Sequence, residues 1–91
     1  MSQVIINPEE IRVFMNEIER FQQDLQTNQQ IITSKLDYLG NTWQDQSHYV
    51  FKEEFYQMMH SMEPMMQRFE EYKMFLNKKA EIAEELNNHR F

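Results

Sequence analysis

The sequence predicts an all-α protein, a two-helix antiparallel hairpin that dimerises into a four-helix bundle. Three observations lead there. Turn chemistry is scarce, with one Gly and two Pro in 91 residues, well below the usual ~7% and ~5%. That is too little for the many turns of a β or α/β domain. Apolar residues also step by three and four along both halves of the chain, the period of a helical heptad seam. Finally, the apolar stripe of the second half is wider than one neighbouring helix can cover, so two hairpins must pack together, preferably antiparallel.

The first helix is expected over about 8–39. Asn7-Pro8-Glu9-Glu10 starts it, with Asn7 as cap, Pro8 at the first helical position and Glu10 at capping-box spacing. Its seam is Ile11, Phe14, Ile18, Phe21, Leu25, Ile32 and Leu39. Asn28 and Lys35 interrupt that seam, while Ile31 and Leu36 sit beside it. A turn follows over 40–45. Gly40 stands where a left-handed residue would end the helix, and either Thr42 or Asp45 can cap the next one.

The second helix is expected over about 46–86. Phe51, Phe55, Met58, Met62, Met65, Phe69, Tyr72, Leu76, Ala83 and Leu86 continue the stepping, with only Lys79 out of place. Met59, Met66, Phe75 and Ile82 form a second row. Pro64 removes the hydrogen bond to the carbonyl of His60 and predicts a kink there. Residues 87–91 lose the period and are expected to fray.

Composition excludes several function classes. With no cysteine the chain has neither disulfides nor a thiolate zinc site. A net charge of −6 opposes binding to nucleic acid, which needs a basic stripe. The start, MSQVIINPEE, has no basic region or long apolar run, so it is not a cleaved signal peptide. No apolar run approaches the ~20 residues of a membrane span. The expectation is a soluble cytoplasmic protein without membrane insertion.

Candidate chemistry is thin. Met58, Met59, Met62, Met65 and Met66 lie near His60 and suggest soft copper(I) ligands. Three of the five fall on the seam between Phe55 and Phe69, so they read as core packing instead. Asp45-Gln46-Ser47-His48 is the nearest approach to an inward carboxylate–histidine metal motif, but it sits at a helix start without a core partner. No glycine-rich elbow supports a serine nucleophile. The expectation is no catalytic residue, no metal and no cofactor. Paired acids at Glu9-Glu10, Glu53-Glu54, Glu70-Glu71 and Glu84-Glu85 read as a solvated face. Trp43 either caps the end of the bundle or anchors a partner.

Two long helices, a length near one hundred residues and a central Trp43-Gln44-Asp45 turn after Leu39, with Phe51 and Phe55 opening the second helix, resemble the WXG100 (early-secreted-antigen-like) family. Asp45 stands in the motif's Gly position. The family's tail signal, a Tyr followed four residues later by Asp or Glu, has no counterpart after the second helix: Tyr72 is followed at that spacing by Leu76, and Tyr49–Glu53 lies at the start of that helix. The resemblance implies a non-enzymatic dimer of a type VII (ESX-like) secretion system, exported without a cleaved signal, as substrate or as co-secreted adaptor or chaperone. Its implied partners are itself or a WXG100-like paralogue, a secretion ATPase and a larger toxin. Trp43 and Asp45, with Gly40 in the same turn, are the implied recognition positions. The alternative reading is a cytosolic helical adaptor that is not exported.

Overall fold

The computed structural model describes residues 5–88. Three helices follow one another: α1 (Pro8–Leu39), α2 (Gln46–His60) and α3 (Glu63–Asn88). The chain reverses between α1 and α2, so α2 and α3 together run back along α1. Among the described residues there is no strand. The hairpin measures 71 × 19 × 18 Å with a radius of gyration of 21.0 Å. A compact chain of this length would have a radius near ~12 Å, so the molecule is a rod.

Local chemistry explains the helix ends. The Asn7 carboxamide oxygen accepts from the backbone N–H groups of Glu9 (2.9 Å) and Glu10 (3.2 Å), and Pro8 occupies the first turn, where no N–H is needed. At the far end, Gly40 caps α1 with φ −60° and ψ −16°. This corrects the expectation of a left-handed glycine, since no described residue has positive φ. Gly40 is required for space instead. A Cβ there would meet His48 Cε1 at 3.1 Å and the Asp37 carbonyl oxygen at 3.2 Å. Asp45, not Thr42, caps α2, its side chain accepting from His48 N–H at 3.1 Å. The Thr42 hydroxyl instead donates to the Leu39 carbonyl at 3.3 Å, closing the end of α1.

The second arm is divided where the sequence suggested one continuous helix over 46–86 kinked near Pro64. Residues 61–62 form a turn, and Pro64 is the second residue of α3. Lacking an N–H, Pro64 leaves the His60 carbonyl without its helical donor. The Ser61 hydroxyl donates to the Met58 carbonyl at 2.6 Å, and His60 Nδ1 lies 3.3 Å from Glu63 Oε1 across the break. The break therefore precedes the proline by two residues. α3 continues through Asn88; residues 89–91 of the expected frayed tail lie outside the described residues.

The helices meet along a stripe that the heptad reading only partly anticipates. Ile18, Gln22 and Leu36 of α1, His48 of α2, and Ala80 and Ala83 of α3 are the buried residues. Leu25, Phe55, Met62, Phe69 and Leu76 of the expected seam are half-buried, as are Ile11 and, from outside it, Met15, Met59 and Met66. Ala80 is 0% exposed, because alanine lets α3 approach α1 closely. Phe21 and Phe69 pack edge to face across the hairpin at 5.5 Å. Full burial of Ile18 or Leu36 is worth roughly 1.5–3 kcal/mol each. The other half of the expected seam is not core in the single chain: Phe14, Phe21, Ile32, Leu39, Phe51, Met58, Met65 and Tyr72 are all exposed. Phe75 and Ile82 of the second row are exposed too.

Candidate functional site

Two features stand out: the turn at one end of the rod and the long flank that carries the exposed half of the seam.

At the turn, Asp45 collects three donors on one carboxylate oxygen. The Trp43 indole N–H donates to Oδ1 at 2.8 Å, the Ser47 hydroxyl at 2.5 Å and the His48 backbone N–H at 3.1 Å. The Ser47 hydroxyl above all, then the His48 and Trp43 N–H groups, holds the Asp45 carboxyl below the usual carboxylate range. The Trp43 ring is half-buried, with its centroid 5.0 Å from His48 and 6.0 Å from Phe51. His48, 4% exposed, fills the space left by Gly40, and its Nε2 has no hydrogen-bond partner. Gly40, Trp43 and Asp45 thus form one unit: the glycine admits the histidine, the histidine supports the indole, and the indole ties to the helix cap. The sequence reading names His48 only within a metal motif and gives it no core partner; the structure corrects this, since His48 is buried against Gly40 and Trp43. Its signal was available in the Asp45-x-x-His48 spacing, which puts the side chain on the first turn beside its cap.

Along the rod, the helices separate their two flanks by chemistry. One flank is polar and paired. Arg12 forks onto Glu84 (Nη2–Oε1 2.6 Å, Nε–Oε2 3.2 Å) and donates to Asn77 Oδ1 at 3.0 Å. Lys73 bridges Glu19 and Glu70, and Asp37 accepts from Lys52 at 3.0 Å and from the Tyr56 hydroxyl. These contacts depress the carboxyls they reach: Arg12 does so for Glu84, Lys73 for Glu19, and Tyr56 followed by Lys52 for Asp37. The opposite flank is apolar and open. Phe14 (57% exposed), Phe21 (53%), Ile32 and Leu39 line α1, with Phe51, Met58 (59%), Met65 and Tyr72 beside them. At 100° per residue these positions fall on one side of the contact stripe and the ion pairs on the other.

The methionine cluster does not converge. Met58 and Met65 are exposed on the apolar flank, whereas Met59, Met62 and Met66 turn toward α1. Gln29 Nε2 donates to the Met62 sulfur at 3.2 Å. Among the described residues, no group of three or more His, Cys, Asp or Glu is placed to hold a metal ion. No helix among them is long and apolar enough to cross a membrane.

A turn carrying Trp43 and Asp45 between two long helical arms is the arrangement that the sequence resemblance implied. A family model described as WXG100, proteins of 100 residues with WXG, matches residues 3–88. The chain belongs to the WXG100 family. The match spans nearly all of the chain, hairpin and turn together. No curated protein and no solved structure gives a significant match. WXG100 proteins are small helical hairpins associated with type VII secretion, and they typically pair with partners.

Proposed function

We propose that this WXG100 chain is a non-enzymatic interaction module of a type VII (ESX-like) secretion system, exported as a substrate or co-secreted adaptor, and that its first partner is a second copy of itself. The observation that carries the reading is the open apolar flank. Eight large side chains on each copy stand there at roughly half exposure. If a second hairpin buries them, each gains about half of the ~1.5–3 kcal/mol of full burial, roughly 12–24 kcal/mol over both copies. Against an association cost of ~4–15 kcal/mol, the balance favours association over most of that range. A run of exposed large apolar side chains along one flank marks an interaction surface more often than a bare monomer surface. The turn, with Gly40, Trp43 and Asp45, is then free at the end of the bundle for a secretion ATPase or a larger toxin.

Sedimentation equilibrium tests the first part: a species of twice 11.3 kDa is expected at micromolar concentration, and a monomer at hundreds of micromolar refutes self-association. Fractionation of the native cells tests export. Protein in the medium without lysis supports it. Strict retention in the cell removes it and leaves the cytosolic helical adaptor, which shares the fold and in which Asp45 is simply a helix cap.

A further inference from the structure

The interior of the rod is split in two. Ile18, Gln22, Ala80 and Ala83 are buried in the half where α1 meets α3, and Leu36 and His48 in the half where it meets α2. Among the described residues nothing between Gln22 and Leu36 of α1 is fully buried. At that level both arms are interrupted. In the second arm the interruption is the turn at 61–62, where the Met62 N–H reaches back only three residues, to the Met59 carbonyl at 3.2 Å. In α1 it is Thr33, whose hydroxyl donates to the Gln29 carbonyl at 2.7 Å, a back-bond that weakens and bends helices. The surfaces between the two points are not matched. Gln26, Gln30 and Thr33 stand across a groove of about 400 Å³ from His60, Glu63 and Met66. Nearby, the buried Gln22 Oε1 has no hydrogen-bond partner.

The two halves are also held differently. α3 lies close along α1, whereas α2 stands further off. Its ties to α1 are the exposed Asp37 carboxylate, which takes Lys52 and Tyr56, and the seat of His48 against Gly40. At 15 residues, α2 is also near the length at which a helix without packing is marginal in water.

We propose that α2, with the turn before it, is a lid: it opens from α1 as one unit about residues 61–62 while α1 and α3 stay paired. Opening releases Asp37, lifts His48 off Gly40 and uncovers Leu36 and Phe55, so the turn end offers an apolar surface that the closed hairpin hides. Pro64 makes the hinge, because it removes the bond to the His60 carbonyl that would join α2 and α3 into one stiff helix. The lid does not rest on self-association. The open flank runs along α2 (Phe51, Met58) and α3 (Met65, Tyr72) alike, so a second copy would cover both arms and leave the difference between them.

Hydrogen exchange of the full chain, followed residue by residue by NMR at one protein concentration, reads the opening. Amides of residues 50–60 should exchange through one shared opening, with protection about tenfold or more below that of residues 67–84. The change should be a step at the hinge. A gradual decline toward the turn is fraying and overturns the proposal, as does equal protection in both arms. Pro64→Ala restores a donor to the His60 carbonyl and should raise α2 to the protection of α3. Asp37→Asn weakens the tie to Lys52 and should lower α2 protection by about threefold, the scale of one exposed ion pair, while α3 stays unchanged. An α2 indifferent to Pro64→Ala, or an Asp37→Asn loss shared equally by α3, also overturns it.

Discussion

Replacing Gly40 with alanine separates two reasons for a glycine at a helix end. The backbone at φ −60°, ψ −16° is one any residue adopts, so on conformational grounds alanine should stabilise by ~0.4–1 kcal/mol through the unfolded chain. The added methyl, however, would lie 3.1 Å from His48 Cε1 and 3.2 Å from the Asp37 carbonyl oxygen, inside the ~3.5–4.0 Å of relaxed carbon contacts. His48 is held beneath Trp43 and cannot swing into water without uncovering the indole. Overpacking of this kind costs ~1–3 kcal/mol. The net expectation is a loss of about 1 kcal/mol, or roughly 4–8 °C in melting temperature for a domain of this size. Thermal unfolding followed by circular dichroism reads it, at one fixed protein concentration because association shifts the midpoint. In a His48→Ala background the obstruction is gone, and Gly40→Ala should become neutral or stabilising. If the substitution raises the melting temperature of the otherwise wild-type chain, or costs as much without His48, the close-approach argument fails.

Trp43→Phe keeps the ring against His48 but removes the donor to Asp45, so melting should fall by only a few degrees. Trp43→Ala should cost about 1–3 kcal/mol, below the ~3–5 of a fully buried tryptophan, because the ring is half-buried; near-native melting would instead assign Trp43 to partner recognition. Asp45, Asp37, Glu19 and Glu84 all have folded-state pKa values lowered by their donors. The stability they supply is complete above the unfolded carboxyl range near pH ~4 and disappears as pH falls through their lower folded values. Melting temperature should therefore be level from about pH 5 to 7 and drop below pH ~4, and Asp45→Asn, which still caps α2, should flatten part of that drop. Phe51→Asp and Met58→Asp, on the open flank, should abolish the dimer, as sedimentation would show; Phe55→Asp and Met62→Asp, inside the hairpin, should also reduce helicity.

Capping chemistry made the start of α1 readable in the sequence, because Asn7 and Pro8 act within a few residues of their own position; Gly40 marked the other end, but its reason, the close approach of His48, lies eight residues away. The second arm was less readable. Pro64 announced a disturbance, but its place depends on which carbonyl loses a donor and on how Ser61 repairs it, and so the break falls at 61–62. The contact stripe was the least readable part. Heptad spacing shows that two rows exist without showing which row faces the neighbouring helix. Here the inner stripe includes Gln22, Gln29, His48 and Lys73, whose polarity disguises it, and Ala80, whose value lies in being small. The more apolar row is the one left open. At the turn, Trp43 and Asp45 were legible as positions, whereas the bond between them depends on a backbone reversal that local sequence does not dictate.

The rod shape bears on transport. A cross-section of 19 × 18 Å is about two helix diameters of ~10 Å in each direction, so a conduit must be at least that wide to admit a single folded hairpin lengthwise. A pair joined along the apolar flank is about twice as wide in one direction and no longer. Bore alone would therefore distinguish passage of the separate hairpin from passage of the pair, with no unfolding of either helix.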